Sequence, residues 1–273
     1  MKQKDFERFC SLAYDKAGIR LRDGKEALVS ARVSKRMRAL DLRDFSDYLE
    51  VLDTDENELI HFLDAISTNY TSFFREREHF NLLTEHVRQW IDRGRQRLRI
   101  WSAASSSGEE PYSLAITMAE ALNGRELDYR ILATDISLSV LQRGQEGVYS
   151  SAALTNVPPE WRGKYFRRLR AARDDNEKSP QYAVKDELRQ RIVFRHMNLN
   201  EVPYPLRGPL DAVFCRNVMI YFDKDVRQRL ISEFERLLRP GGLLIVGHTE
   251  TLTGIRHRFS TVKPSVYRMP ELP

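Results

Sequence analysis

The sequence predicts an α/β fold in which a parallel sheet follows a block of helices. Three observations support this class. After about residue 98, short apolar runs alternate with amphipathic helical segments, as in βαβ units. Before about residue 70, apolar residues recur only at helical spacing. A length of 273 residues suits one large domain or two domains of modest size.

The helical block contains four predicted helices. In the first, Phe6, Phe9, Leu12 and Ala13 fall at helical spacing, and Gly18 ends the run. The four segments are DFERFCSLAYDKAGI, KEALVSARVSKRMRAL, DFSDYLEVL and NELIHFLDAIS. We therefore predict a helical N-terminal domain over residues 1–75.

The α/β domain is predicted to span residues 76–273. Its predicted strands are LRIWSAAS, DYRILATDIS, IVFRHM, PLDAVF, LLIVGHTE and SVYRM. The helices between them are PYSLAITMAEAL, SLSVLQRGQEG and DKDVRQRLISEFERLLRPGG, the last stopped by Pro-Gly-Gly. Strands that alternate with helices indicate βαβ units and a parallel sheet.

One stretch, from about residue 160 to 195, departs from this alternation. It is highly charged, and DDNEKSPQ resembles a turn between YFRRLR and YAVKDEL. We predict a small inserted subdomain here, built like a hairpin.

The composition indicates which classes of protein this chain does not resemble. No apolar run approaches the roughly 18–20 residues needed to span a bilayer, and MKQKDFERFC lacks the apolar core of a signal peptide. Cys10 and Cys215 lie far apart, and the six histidines are scattered, so neither a disulfide framework nor a metal site is expected. A net charge of +5 suits an acidic partner without implying nucleic acid. We expect a monomeric, cytoplasmic protein.

Polar residues follow successive predicted strands, where open α/β sheets bind ligands. SAASSSGEE follows the first strand and contains one glycine, Gly108, so it is not a dinucleotide-binding fingerprint. Asp135 ends the second strand, where an acid can bind ribose hydroxyls or cap the next helix. Glu109 and Glu110 could bind a cationic ligand or complement a helix dipole. The residues that follow two later strands also suit a nucleoside-bearing cofactor. They are Asn198 and Leu199 after IVFRHM, and Arg216, Asn217 and Tyr221 after PLDAVF.

Several motifs together resemble the CheR family of chemoreceptor glutamate methyltransferases. They are STNYTSFFRE, WSAASSSGEEPYSLAI, ATDIS, FCRNVMIYFD, RPGGLLIVGHTE and SVYR, and they cover nearly the whole chain. The resemblance implies a Rossmann-like class I S-adenosylmethionine-dependent methyltransferase domain, a helical N-terminal domain and a small inserted β-subdomain. It also implies that S-adenosylmethionine donates a methyl group to receptor glutamates and leaves as S-adenosylhomocysteine.

The resemblance also implies roles for individual residues. The positions that match cofactor-binding residues of the family are Asn69, Thr71, Arg75, Glu109, Glu110, Asp135, Asn198, Leu199, Arg216 and Asn217. Arg75 and Tyr221 match residues close to the transferred methyl group, which gives them the catalytic roles. The basic residues that match a receptor-facing helix are Arg32, Lys35, Arg36 and Arg38. Alternatively, these four basic residues form a solvated helix face with no role in binding.

The insertion departs from the family pattern. In some members this subdomain docks a pentapeptide at the receptor C-terminus through a glycine-containing loop, whereas RRLRAARDDNEKSPQYAV is longer and lacks glycine. This argues against pentapeptide docking. Two other functions stay open: a nucleic-acid methyltransferase, although no stacking aromatics interleave the basic cluster, and a non-catalytic adaptor that senses the cofactor.

Overall fold

The computed structural model describes residues 1–21, 24–170 and 180–271. The predicted helical domain is present, and its helices are α1 (Gln3–Ala17), α2 (Glu26–Ala39), α3 (Phe45–Thr54) and α4 (Glu56–Ile66). Its core is aromatic, because the Phe9 ring lies against Phe45, Tyr48 and Phe62 with centroids 5.6 to 6.3 Å apart. None of the described helices has the length and apolar character needed to cross a membrane.

Helix α1 ends at Gly18, as predicted, and this end packs against the other domain. Gly18 has a φ of 67° and its N–H donates to the Tyr14 carbonyl at 2.7 Å. A side chain here would be strained, and its Cβ would lie 3.1 Å from Asn200 Oδ1 and 3.2 Å from Val226 Cγ1. Glycine therefore both turns the chain and allows the close approach of the two domains.

The second domain is built on a seven-stranded sheet with the order β6-β2-β1-β7-β8-β10-β9. The strands are β1 (Arg97–Ser102), β2 (Asp128–Asp135), β6 (Ile192–His196), β7 (Leu210–Cys215), β8 (Leu238–Val246), β9 (Ser260–Lys263) and β10 (Val266–Arg268). Strand β10 is antiparallel to β8 and β9, and the other pairs are parallel. The strand order reverses between β1 and β7, which is where open α/β sheets bind ligands.

Both faces of the sheet are covered. Neighbouring residues of β1 enter opposite cores: Ile100 packs with Ile131 and Phe214, and Trp101 packs with Val213 on the other side. The principal covering helices are α5 (Glu78–Asp92), α6 (Glu109–Leu122), α7 (Leu138–Glu146) and α10 (Lys224–Leu237). Helix α10 ends before the Pro-Gly-Gly, which lies inside β8. The parallel α/β architecture is thus confirmed.

The inserted β-subdomain is a three-stranded antiparallel sheet with the order β3-β5-β4. Its elements are β3 (Val148–Ser150), α8 (Pro159–Tyr165), β4 (Phe166–Arg168), β5 (Gln181–Val184) and α9 (Asp186–Arg189). The small sheet starts before the predicted range of 160–195, and β6 within that range belongs to the main sheet. Residues 171–179, which include most of the predicted turn and of the glycine-free stretch, lie outside the described residues.

Candidate active site

A cavity of about 490 Å³ lies beyond the carboxyl ends of the central strands, between the sheet and the helical domain. It gathers most of the residues to which the family resemblance gave cofactor or catalytic roles. Those that line it are Asn69, Thr71, Arg75, Glu110, Asp135, Asn198, Leu199, Arg216, Asn217 and Tyr221. Glu109 does not line this cavity; it is buried and accepts a bond from the Ser107 hydroxyl at 2.8 Å.

The segment from Asn69 to Glu76 belongs to the sheet domain by its packing. The Phe73 ring contacts Tyr149 and Phe166 edge-on, with centroids 4.9 and 5.5 Å away. Phe74 is also buried, and its N–H donates to Ser113 Oγ at 2.9 Å. The buried side chains of Phe73 and Phe74 therefore hold the segment over the cavity. The domain boundary at residue 75 stays a prediction.

Gly108 shapes the loop between β1 and α6. Its φ is 98°, and a Cβ would lie 2.6 Å from Tyr149 Oη and 2.9 Å from the Gly144 backbone. A larger residue would push the loop away from its supports. The loop consequently presents small side chains, including those of Ala103 and Ala104, to the cavity.

Asp135, at the end of β2, holds two loops by their backbone. One carboxylate oxygen accepts the Ser106 N–H at 2.8 Å and the other accepts the Ser137 N–H at 3.0 Å. Burial raises the pKa of this carboxyl, and these backbone bonds oppose the rise. The N-cap of α7 is Ser137, so the alternative of Asp135 as the cap is wrong. Asp135 keeps lone pairs for a hydroxyl-bearing ligand.

A buried arginine with two acids forms the wall behind the cavity. Arg216 donates to Glu110 at 2.9 Å and to Glu76 at 3.0 Å, and its side chain is 2% exposed. It also donates to the Arg75 carbonyl. Burial raises the pKa of Glu110, and Arg216 opposes the rise. One cation between two carboxylates leaves an acidic surplus that suits a cationic ligand group.

Glu76 and Glu250 are site residues that the sequence analysis missed. Glu250 accepts the N–H groups of Asn217 and Gly247, each at 2.7 Å, and so fixes the loop after β7. Asn217 has a φ of 59°, an uncommon conformation that these bonds stabilise. Both acids lie inside motifs quoted above, SFFRE and GHTE, which were the only signal for them.

Three bonds around the end of α1 tie the helical domain to loops of the site. Asn198 Nδ2 donates to the Lys16 carbonyl at 2.7 Å, and the Arg20 N–H donates to the Tyr221 carbonyl at 2.9 Å. The Tyr14 hydroxyl donates to the Asp223 carboxylate. The end of α1 thereby forms part of the cavity wall.

Arg75 and Tyr221 both reach the cavity without being buried. Arg75 is half-buried, donates to the Tyr70 carbonyl at 3.1 Å and lies 5.5 Å from the Tyr70 ring centroid. Tyr221 ends a short 3₁₀ turn, Met219–Tyr221, and is also half-buried. Their catalytic roles stay predictions, and their exposure allows both to meet a substrate.

The four basic residues of α2 fall into two classes. Arg32 donates to the Ile66 and Ser67 carbonyls at 2.8 and 2.9 Å, and Arg36 pairs with the buried Glu58. Lys35 and Arg38 are exposed. The first two support the fold of the helical domain, and the second two are free to meet an acidic partner.

Replacing Arg36 with glutamine is expected to destabilise the protein by about 2 kcal/mol, because Glu58 would keep a buried charge without its cation. Burial raises the pKa of Glu58, but bonds from Arg36 and Tyr48 outweigh burial, so that the pKa lies below its ordinary value. A lowered pKa gives stability that is present above the unfolded value of 4.5 and is lost as pH falls. Urea unfolding should show the full loss of unfolding free energy in the variant at pH 7 and a smaller loss in acid. Arg38→Gln is the control, and an equal loss in both variants would contradict the assignment.

Comparison with known proteins assigns the family. The model of the CheR methyltransferase all-alpha domain matches residues 4–67, and that of the CheR methyltransferase SAM binding domain matches residues 69–268. A chemotaxis protein methyltransferase of Salmonella typhimurium is 41% identical over 97% of this chain and 89% of its own. Chemotaxis protein methyltransferase 2 of Pseudomonas aeruginosa is 42% identical over 97% and 92%. An rRNA methylase structure from Streptococcus thermophilus aligns with a TM-score of 0.38 at 11% identity over 70% of this chain and 95% of that one, too low to carry an argument. The chain belongs to the CheR methyltransferase family and is a methyltransferase of chemotaxis that uses S-adenosylmethionine.

Proposed function

We propose that this enzyme forms γ-methyl esters on glutamates of chemoreceptors, the methyl-accepting chemotaxis proteins, and so tunes chemosensory adaptation. The observation that carries the proposal is the shared cavity. Its lining gathers most of the predicted cofactor residues and also includes exposed side chains from both domains. A cavity lined partly by exposed residues suits a side chain presented by a large partner. We infer a cytoplasmic, monomeric enzyme acting on the methylation helices of receptors, with pentapeptide docking not expected.

The polar residues that line the cavity fit S-adenosylmethionine, which supplies a methyl group on a positively charged sulfur. Asp135 would bind the ribose hydroxyls, since its carboxylate is already fixed by two backbone bonds. Glu110 would hold the ammonium group, because the acidic surplus around Arg216 favours a cation. The adenine would lie by Asn198 and Leu199, and the remaining contacts would come from Asn69, Thr71, Arg75, Arg216 and Asn217.

The chemistry requires alignment more than proton transfer. An ordinary glutamate side chain has a pKa of about 4.3, so at neutral pH it is already an anionic nucleophile. The described residues that line the cavity include neither histidine nor cysteine, in keeping with a reaction that needs no general base. Arg75 and Tyr221 would position the carboxylate against the methyl carbon. Tight pairing of Arg75 with the carboxylate would slow attack, so we infer a positioning role.

Three large apolar side chains stay exposed on the lining of the cavity. Leu28 is 41%, Ile220 is 42% and Tyr70 is 76% exposed, and these three come from both domains. A receptor helix that places its glutamate in the cavity would cover them. This apolar rim, Leu28, Tyr70 and Ile220, supports a protein substrate over a small molecule.

Removing part of the apolar rim should weaken receptor binding. The double variant Leu28→Ala/Ile220→Ala is expected to raise KM for the receptor about 30-fold, because each of the two truncations removes apolar contact worth on the order of 1 kcal/mol. The affinity for S-adenosylmethionine, measured by titration calorimetry, should not change. Val193→Ala, an equally exposed position on β6, is the control. An unchanged KM in the double variant would refute a role of the apolar rim in receptor binding.

Transfer of labelled methyl groups to receptor-bearing membranes tests the function itself. The expected result is label on the receptor that base releases as methanol, as a carboxyl methyl ester requires. Label that enters nucleic acid instead would favour the nucleic-acid methyltransferase. Cofactor binding without transfer to any receptor would favour the sensing adaptor.

A further inference from the structure

Outside the cavity, the fold brings together three metal-binding side chains that are far apart in sequence. Glu76 and His79 lie before and at the start of α5, and His248 follows β8. Glu76 Oε2 is 3.4 Å from His79 Nδ1 and 4.0 Å from His248 Nε2. One ligand atom from each of the three residues lies within 4.8 Å of the others.

The His79 ring is the independent sign that a partner belongs here. It is 3% exposed, and neither ring nitrogen has a hydrogen-bond partner in the described structure. Buried polar atoms are nearly always satisfied, and an exception calls for a missing water or ion. A neutral imidazole offers one lone pair to a metal ion.

The cluster is also accessible. His79 and His248 line a second cavity, of about 510 Å³, on the surface beside α5 and the end of the sheet. Its other polar lining residues include Glu78, Glu85 and Lys263. The cavity gives an ion a path from solvent and leaves room for a water ligand.

We propose that Glu76, His79 and His248 bind a divalent transition-metal ion such as Zn²⁺. Two imidazoles and one carboxylate, with a further position open to water, form a common three-residue zinc ligand set. Metal–ligand distances near 2.0–2.2 Å require the ligand atoms to close in slightly. His248, whose side chain is 48% exposed, has the freedom to do so.

The proposed ion would communicate with the active site through Glu76. The same carboxylate oxygen accepts from Arg216 at 3.0 Å, so the ion and the arginine compete for it. Release of Arg216 would disturb its bonds to Glu110 and to the Arg75 carbonyl. Metal binding should therefore weaken binding of S-adenosylmethionine, and by linkage the cofactor should weaken metal binding equally.

Zinc titration of the full chain, free of any histidine tag and treated with chelator, tests the site. In competition with a chromophoric chelator, the wild type should bind one Zn²⁺, and His248→Ala should bind it at least about 10-fold more weakly. This variant keeps the backbone N–H that donates to Glu76 at 3.2 Å. His61→Ala, at an exposed position on α4, is the matched control and should bind zinc as the wild type does.

Two further measurements complete the test. Co²⁺ should give the strong visible absorption of a four-coordinate site in the wild type and lose it in His248→Ala. Saturating Zn²⁺ should lower S-adenosylmethionine affinity in the wild type but not in that variant. Equal zinc affinity of wild type and His248→Ala would overturn the site, and equal cofactor affinity with and without zinc would overturn its coupling to the active site.

Discussion

Replacing Arg216 with alanine is expected to lower the free energy of unfolding by about 3–5 kcal/mol and to abolish measurable binding of S-adenosylmethionine. The change removes the cation between Glu76 and Glu110, two carboxylates with side-chain exposures of 13% and 9%. It also removes the donor to the Arg75 carbonyl and so loosens the segment over the cavity. Urea unfolding measures the first effect, and titration calorimetry measures the second.

A second variant separates stability from binding. Without Arg216, the burial that raises the pKa of Glu110 is opposed by the bond from the Ser102 hydroxyl but no longer by the guanidinium, so this pKa should rise further. Arg216→Met with Glu110→Gln removes one charge of each sign and should recover much of the lost stability, since buried pairs can be replaced by neutral groups at little cost. Cofactor binding should not recover.

The control for this series is Arg8→Ala, because Arg8 pairs with Asp53 at 2.9 Å while the two side chains are 53% and 47% exposed. An exposed pair of this kind contributes at most about 1 kcal/mol. If Arg216→Ala cost no more than Arg8→Ala, the buried network would not hold the site together, and our account of it would be wrong.

The main sheet was predictable because its signals are local. Strands such as Arg97–Ser102 and Asp128–Asp135 are short apolar runs, and helices of regular periodicity separate them. The inserted sheet was harder, since Val148–Ser150 is a three-residue strand directly after a helix and its partner, Gln181–Val184, comes much later. Strand pairing at such separation leaves no periodic signal in either segment.

The site shows the same division between local and distant information. Asp135 follows its strand directly, so its place at the sheet end could be inferred from position. The roles of Arg32 and Arg36 could not, because their partners, Ser67 and Glu58, lie on another helix or just beyond it. A basic residue that faces solvent and one that pairs inside the domain have the same pattern in the sequence.

The histidines illustrate what only three-dimensional packing reveals. Their scatter along the chain argued against a metal site, yet His79 and His248 have ring centroids 4.8 Å apart. They meet because the start of α5 lies against the loop that follows β8, and Glu76 lies just before this helix. Sequence spacing constrains a metal site only when its ligands share one element or one loop.

Replacing Arg75 with alanine is expected to lower kcat for the proposed methylation of receptors by about 10²-fold, the order of loss that follows a misplacement of reacting groups by 1 Å. The guanidinium is half-buried at the cavity, held by the Tyr70 carbonyl at 3.1 Å. Its backbone carbonyl, which accepts from Arg216, remains in the variant. The cofactor site should consequently persist, and cofactor affinity should fall much less than kcat.

Tyr221→Phe tests the second proposed positioning residue in the same assay. It should lower kcat about 10-fold, within the range of one lost hydrogen bond. The Tyr221 carbonyl that accepts the Arg20 N–H is unaffected, so the contact between the domains is kept. Arg77→Ala, an exposed arginine two positions after Arg75, is the control and should methylate at the wild-type rate. Wild-type rates in both Arg75→Ala and Tyr221→Phe would exclude these residues from the reaction, because folded enzymes that lack either group would then align the methyl transfer without it.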